Sequence, residues 1–201
     1  SGVKTNFFAV HFTKCNLSEN VTITSGKNAG GFMGWSASNV KDENSQTMNP
    51  DNVVVSCNVR NVTVNGMEED SYANSSGIFF GKCDGSLTVT SSEIKDSSVK
   101  GTSAGMLAGQ IRYRAGRTFA ATDTNVSGVE NEQKTKTSEI QAQSYAGGLV
   151  GRSGVTSTIE RCTVSGTTIA ASTEGGLLGE VTQSSDIYGC KVSSVDFKKT
   201  S

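Results

Sequence analysis

A short glycine-flanked apolar segment recurs five times along this chain of 201 residues. In each copy two glycines four positions apart enclose small or apolar residues. The five copies are Ala29-Gly30-Gly31-Phe32-Met33-Gly34, Ser76-Gly77-Ile78-Phe79-Phe80-Gly81, Ala104-Gly105-Met106-Leu107-Ala108-Gly109, Ala146-Gly147-Gly148-Leu149-Val150-Gly151 and Glu174-Gly175-Gly176-Leu177-Leu178-Gly179. Such a repeat is a structural unit that cannot bury its own apolar face, so neighbouring copies must stack on one another.

A second pattern lies between the glycine segments and sets the length of the repeat. Six times an apolar residue is followed by a small residue three positions later and by an aliphatic residue five positions later. The six sets are Phe12, Cys15 and Leu17; Val54, Cys57 and Val59; Val89, Ser92 and Ile94; Ala121, Thr124 and Val126; Ile159, Cys162 and Val164; Ile187, Cys190 and Val192. The shortest spacings, 15 residues from glycine to small residue and 13 onward to the next glycine, define a base repeat of 28.

The apolar runs are short, rich in Val, Ile, Thr and Phe, and bounded by glycine, which indicates strands rather than helices. We therefore predict an all-β fold, a parallel β-solenoid of roughly six coils with the first and last incomplete. Each coil has room for two or three strands. Extra residues occur at 35–53 and 110–118 at one turn and at 65–75 and 129–144 at another, and their polar composition predicts loops. The motif glycines are expected to allow tight corners or positive φ. The alternative all-β fold is a β-sandwich.

The segment Tyr145-Ala146-Gly147-Gly148-Leu149-Val150-Gly151-Arg152 resembles the GLUG repeat, whose core is A-G-G-L-V-G. The copies at 29–34 and 174–179 are close variants, whereas Ile78 and Met106 replace the second glycine in the other two. GLUG-type repeats occur in large secreted and surface-anchored proteins, including adhesin-like proteins and non-catalytic parts of metalloproteases that cleave immunoglobulin A. The repeats predict that residues 1–201 form a single solenoid domain. The resemblance covers residues 28–201 by period and implies that this domain is a segment of a larger extracellular protein. It transfers no active site.

Charge and apolar runs exclude several classes of protein. With 18 basic and 19 acidic residues, the chain lacks the basic excess of a nucleic-acid-binding protein. No apolar run approaches the length that would insert into a membrane. The glycine segments have no following helix to make a nucleotide site, so we predict no cofactor.

The five cysteines favour packing over metal binding. Four of them, Cys15, Cys57, Cys162 and Cys190, occupy the small position of the repeat, and Cys83 lies outside it. We therefore predict buried reduced thiols at that position, where Cys acts as a small apolar residue, and leave the state of Cys83 open. No cysteine pair or Cys/His cluster predicts a metal site.

Few residues support catalysis, and we predict a protein that is not an enzyme. His11, the single histidine, alternates with apolar residues in the predicted first strand. The acidic groups 68–70 and 42–43 lie in insertions rather than at repeated strand positions. A β-helix carbohydrate-active enzyme, which would need carboxylates converging on a groove, stays an alternative.

Candidate ligand-binding residues lie in the insertions, since loops on a rigid scaffold commonly carry recognition residues. Residues 110–117 concentrate three arginines and a tyrosine, types enriched in binding hot spots. Trp35 begins the insertion that leaves from the same turn, so both should project from one side of the solenoid. The candidates are Trp35, Tyr72, Arg112, Tyr113, Arg114 and Arg117. The competing explanation is that the aromatic residues merely cover the solenoid edge.

These observations leave three functional hypotheses. The first is a non-enzymatic, extracellular stalk or adhesin-like segment of a surface protein, whose partner is a host or neighbouring-cell surface protein or glycan. The second is a subunit of a self-assembling extracellular filament, whose partners are copies of itself, because unpaired strand edges can add further strands. The third is the carbohydrate-active enzyme.

Overall fold

The computed structural model describes residues 9–37, 40–41, 47–48, 51–66, 74–129 and 137–199, and all regular structure in them is β-strand. The first coil contains β1 to β5, which are Ala9–Thr13, Asn16–Leu17, Val21–Thr24, Ala29–Gly30 and Met33–Ser36. A small antiparallel hairpin follows, made of β6 (Val40–Lys41) and β7 (Thr47–Met48). The second coil contains β8 to β12, which are Asp51–Val55, Asn58–Arg60, Val62–Asn65, Ser75–Gly77 and Phe80–Cys83.

The remaining four coils repeat the same order of segments. The third contains β13 to β16, which are Ser86–Thr90, Glu93–Lys95, Ser98–Gly105 and Ala108–Ile111. The fourth contains β17 to β20, which are Thr118–Thr122, Asn125–Ser127, Ser138–Gly147 and Val150–Ser153. The fifth contains β21 to β25, which are Thr156–Glu160, Thr163–Ser165, Thr167–Ala171, Thr173–Gly175 and Leu178–Val181. The sixth contains β26 to β28, which are Ser185–Tyr188, Lys191–Ser193 and Asp196–Lys199.

Stacking of the coils produces four parallel sheets, here called A to D in the order in which each coil visits them. Sheet A is β1-β8-β13-β17-β21-β26, and sheet B is β2-β9-β14-β18-β22-β27. Sheet C is built on β3-β10-β15-β19-β23-β28 with β4, β11 and β24 at its far end, and sheet D is β5-β12-β16-β20-β25. The parallel β-solenoid predicted from the sequence is confirmed. The prediction of two or three strands per coil was too low for the first five coils, because each of these bends at short corners and forms four or five strands. The described sixth coil has three.

The strand register follows the two sequence patterns. In sheet A, Phe12, Val54, Val89, Ala121, Ile159 and Ile187 lie side by side on successive coils. The aliphatic position runs through sheet B in the same way, from Leu17 to Val192. The first motif glycines are paired in sheet C, from Gly30 to Gly175. A base repeat of 28 residues therefore describes the stacking of the coils.

The small position of the repeat lies at the corner between sheets A and B. In all six coils its side chain donates to the backbone carbonyl two residues earlier, for example Ser92 Oγ to Thr90 O at 3.0 Å and Cys162 Sγ to Glu160 O at 3.4 Å. The residue just before it has a φ between 49° and 58°. Those residues are Lys14, Ser56, Ser91, Asp123, Arg161 and Gly189.

The sequence predicted that the motif glycines allow tight corners or positive φ; none of them has positive φ, and they serve close packing where a larger residue would clash. A Cβ at Gly109 or Gly151 would lie within 3.0 Å of backbone atoms of sheet C, chiefly those of the preceding coil. The reason is that sheets C and D meet with backbone against backbone. The left-handed conformation is instead adopted mainly by non-glycine residues at the corners.

Strands occupy parts of the insertions that the sequence predicted as loops. The first pair leaves from the connection between sheet D and the next strand of sheet A, here called the D–A turn, as predicted. The insertion at 65–75 separates β10 from β11 within sheet C, and the insertion at 129–144 begins between β18 of sheet B and β19 of sheet C. The prediction of a loop over residues 129–144 was wrong for residues 138–144, which belong to β19 and alternate between buried and exposed. Ile140 pairs with Val99 of β15. Pairing with this neighbouring strand makes the segment a strand despite its polar composition.

Burial is nearly complete in the middle of the solenoid. Leu87, Phe119 and Ile159 have no exposed surface. The five cysteines are free thiols; Cys57, Cys83 and Cys162 are buried, and Cys15 and Cys190 are half-buried. In the sixth coil the side chains at the core positions are partly exposed to solvent: Ile187 is 48 %, Val192 42 % and Phe197 52 % exposed.

Candidate functional site

The loop of residues 112–117, here called the arginine loop, connects β16 to β17 at the D–A turn of the third coil. Its backbone continues the stacking, since Arg112 N–H donates to Cys83 O at 2.9 Å. A tight turn closes it through Arg117 N–H and Arg114 O at 3.1 Å. Gly116, the third residue of that turn, has a φ of 71°, which glycine adopts without strain.

Two carboxylates of the preceding coil, Asp84 after β12 and Asp51 at the start of β8, hold the arginines of this loop. Arg112 Nη1 and Arg114 Nη2 both lie 3.5 Å from Oδ2 of Asp84, whose side chain is fully buried. Arg117 Nη1 lies 3.0 Å from Oδ1 of Asp51. Because a buried carboxylate needs a positive partner, Asp84 fixes the position of the loop on the solenoid.

Tyr113 stands out from the arginine loop with 60 % of its surface exposed. A groove of about 330 Å³ lies on one side of it, and a second of about 370 Å³ lies on the other. The first groove is lined by Gln110, Ile111, Arg112, Tyr113, Arg114, Arg152, Gly154 and Thr182. The second is lined by Tyr113, Arg114, Ala115, Gly116, Arg117, Thr118, Val155, Thr156 and Gln183. Tyr113 and Arg114 therefore border both grooves.

The register of sheet D places a row of polar and aromatic side chains beside the loop. The row is Trp35, Lys82, Gln110, Arg152 and Glu180, one from each strand. Lys82 Nζ lies 5.3 Å from the centre of the Trp35 ring, and Arg152 lies over Tyr145 at 5.2 Å while pairing with Glu180. These are cation–π distances.

Positive charge predominates at this surface. Among the described residues, the cations Lys82, Arg112, Arg114 and Arg152 lie here with the carboxylates of Asp84 and Glu180. The pKa of Lys82 is lowered, first by burial and then by the neighbouring charges of Arg112 and Arg114, while Asp84 opposes the shift. The surface therefore favours a negatively charged group.

The structure places five of the six candidate residues at one edge of the solenoid. Trp35 lies on β5, two strands away from β16 in sheet D, and Arg112, Tyr113, Arg114 and Arg117 lie in the arginine loop. Tyr72 lies outside the described residues, as do the acidic groups 68–70 and 42–43. His11 is on β1 with an exposed side chain.

Sequence reasoning missed Lys82, Asp84, Tyr145 and Arg152. Lys82 and Arg152 had a usable signal, because each directly follows the last glycine of its motif, as Trp35 does. Asp84 had none, since its role depends on arginines that follow it by 28 and 30 residues. In the part of the chain that the structure describes, no group of three His, Cys, Asp or Glu side chains could hold a metal ion.

Comparison with known proteins agrees with the sequence motif. The family model described as the GLUG motif matches residues 142–170, which extend from β19 into β23. No curated protein and no solved structure matches the chain. Within the described residues, no helix is long and apolar enough to cross a membrane. The chain is thus a parallel β-solenoid that carries the GLUG motif in its fourth and fifth coils.

Proposed function

We propose that this chain is a non-enzymatic, extracellular, adhesin-like segment of a surface protein, in which a rigid solenoid displays the arginine loop to a partner. The observation that carries the proposal is the exposed Tyr113 on a loop anchored by a buried carboxylate. A rigid loop loses little conformational entropy on binding. The GLUG match supports an extracellular location, because this motif occurs in extracellular proteins.

The arrangement of carboxylates supports binding rather than hydrolysis. Glycosidases need two carboxyl groups facing the scissile bond. The carboxylates nearest the grooves in the described chain, Asp51, Asp84 and Glu180, each pair with an arginine. These carboxylates therefore anchor arginine side chains. In this proposal the partner is a glycan or protein of a host or neighbouring cell.

The test is a screen of the chain against immobilised glycans and cell-surface proteins. Replacing Arg112, Arg114 and Arg117 together with Ala should abolish the binding that the unmodified chain shows. Arg161→Ala is the matched control, because Arg161 is an ion-paired arginine at the A–B corner. Circular dichroism verifies that the variants keep their strands. Absence of any ligand, or equal binding by the triple variant, contradicts the proposal.

A second candidate function is assembly into an extracellular filament. Ile187, Val192 and Phe197 continue the ladders of the core, yet about half of each side chain is exposed. The first coil of a second copy would present Phe12, Leu17 and Ile23 at the same ladder positions. Extending the register would place His11 beside Asp186. Among the described strands of sheets A to C, it would place no like charges opposite each other.

Size-exclusion chromatography with light scattering over a concentration series tests this candidate. Filament formation predicts growth into linear polymers, which Phe197→Lys should prevent. Val129→Lys is the control, since Val129 is 62 % exposed and lies outside the sixth coil. A monomer of 21.0 kDa at every concentration contradicts assembly.

A further inference from the structure

We infer that the surface around Tyr113 binds an anionic oligosaccharide, with an acidic sugar in the first groove and the chain continuing across Tyr113 into the second. This inference rests on the proposed function and names the ligand class of the same site. The acidic group is a carboxylate or a sulfate, which share a negative charge spread over adjacent oxygens that can accept paired hydrogen bonds from arginine.

The positive charge is concentrated in the first groove. Arg112, Arg114 and Arg152 all line it, and Lys82 lies close enough to Arg112 and Arg114 for their charges to lower its pKa. Asp84 is shared by two of these arginines, and Glu180 pairs with the third. Among the residues that the structure describes, two carboxylates therefore lie with four cations at this surface, and an acidic ligand would neutralise the excess of positive charge.

Neutral hydrogen-bonding groups accompany the charge. Gln110 and Thr182 line the first groove, and Thr118, Thr156 and Gln183 line the second. Amide and hydroxyl groups can both donate and accept, as sugar hydroxyls require. The exposed ring of Tyr113 between them offers an apolar face to the C–H groups of a sugar ring.

The size and backbone pairing of the grooves favour a saccharide over a peptide. Each groove has a volume near the lower end of the roughly 300–1,000 Å³ typical of small-ligand sites. A peptide that adds as a strand needs an unpaired backbone edge. Beside these grooves, backbone groups of successive turns pair with one another. Gly154 N–H donates to Ile111 O at 2.8 Å, and Thr182 N–H donates to Ser153 O at 3.0 Å.

Titration calorimetry with paired probes tests the inference on the whole chain. One arm compares trigalacturonate with its methyl ester, and the other compares a sulfated chondroitin tetrasaccharide with the unsulfated form. At least one anionic probe should bind, at least about tenfold more tightly than its partner of lower charge, and binding should weaken with added salt. The arm that shows the difference identifies carboxylate or sulfate as the recognised group.

Variants distinguish this site from adsorption elsewhere. Tyr113→Ala should weaken binding by at least about tenfold, the effect of losing a hot-spot side chain, while Tyr113→Phe should retain it. Tyr188→Ala is the matched control, because Tyr188 is 56 % exposed but lies in the sixth coil. Equal binding of the charged and less charged forms, or no binding of either anionic probe, overturns the inference.

The outcomes separate this inference from the broader proposal. If a neutral glycan or a protein binds and Tyr113→Ala abolishes that binding, the loop is a recognition site and the anionic-sugar inference fails. If no ligand of any class binds in the screen, the proposed function itself fails.

Discussion

The six residues at the A–B corner show why Cys, Ser and Thr interchange in this chain. Each donates its side-chain hydrogen to the carbonyl two residues earlier, across a residue in the left-handed conformation. Ser92 Oγ also accepts from Cys57 N–H on the neighbouring coil, at 3.2 Å. The position therefore selects a short side chain with a donor, which packing alone does not explain.

Ser92→Ala tests this role. The substitution removes the donor to Thr90 O and the acceptor for Cys57 N–H at a site that is 1 % exposed. The free energy of unfolding should fall by about 1–3 kcal/mol, the cost of leaving buried backbone groups unpaired. Urea denaturation measures it. Ser92→Cys should recover most of the loss, and an Ala variant as stable as the unmodified chain contradicts the role.

Because of the buried thiols, the free energy of unfolding should fall at alkaline pH. Burial raises the pKa of Cys83 to about 12 and that of Cys162 to about 11, from an ordinary value of 9.0. Unfolded thiols ionise near pH 9 while folded ones stay neutral, so their contribution is complete below pH 9 and is lost as pH rises toward 11–12. Urea midpoints should fall over this range, and less steeply in Cys162→Ser. If the urea midpoints of the unmodified chain and of Cys162→Ser fall equally with pH, the buried Cys162 thiol is not a cause of the loss.

At the scale of elements, the arginine loop and the preceding turn form one unit. Asp84 follows β12, and the arginines that contact it follow β16, the next strand of sheet D. Stacking thus brings a carboxylate of one turn under the cations of the next. The loop is positioned by its neighbouring coil rather than by its own sequence.

Asp84→Asn should release the arginine loop. The amide lacks the charge that holds Arg112 and Arg114, so stability should fall by about 1.5–3 kcal/mol, the range for hydrogen bonds to charged groups. Limited trypsin digestion should cleave faster after these arginines. The control is Asp123→Asn, where the solvent-exposed pair with Arg161 at 2.7 Å is screened by water and is expected to contribute little to stability. Equal cleavage rates in both variants contradict the anchoring role.

At the scale of the whole molecule, each coil contacts only its neighbours, so stability is the sum of coil terms and interface terms. The second to fourth coils bury their core side chains almost fully, and in the fifth coil Leu177 and Leu178 are only half-buried. The described sixth coil leaves Ile187, Val192 and Phe197 about half exposed. The coils therefore differ in local stability although their strands are alike.

Hydrogen exchange should show this gradient. Amides of β13 to β22 are expected to exchange slowest, and those of β26 to β28 fastest among the strands paired in sheets A to C, because local opening costs least where few apolar contacts are lost. Mass spectrometry of exchanged peptides measures the order. Uniform protection along the solenoid contradicts a stability built from neighbouring coils, and strong protection of β28 supports pairing with a second copy.

Particular residues mark the extent of prediction from sequence. The ladders through Phe12, Leu17 and Gly30 were predictable, because stacking aligns equivalent positions of a repeat. The left-handed corners at Lys14 and Arg161 were not, since neither residue type signals positive φ. The strand at 138–144 was also missed, because its composition is polar and its pairing partner is β15.

The sequence alone determined that coils of 28 residues stack in register and that two insertions leave the solenoid on one side, because a repeated apolar pattern can be buried only against its copies. Tertiary structure alone decided the four-sided coil, the pairing of Asp84 with the arginine loop and the grooves beside Tyr113. These features depend on corner conformations and on contacts between neighbouring coils, which no local pattern of residues encodes.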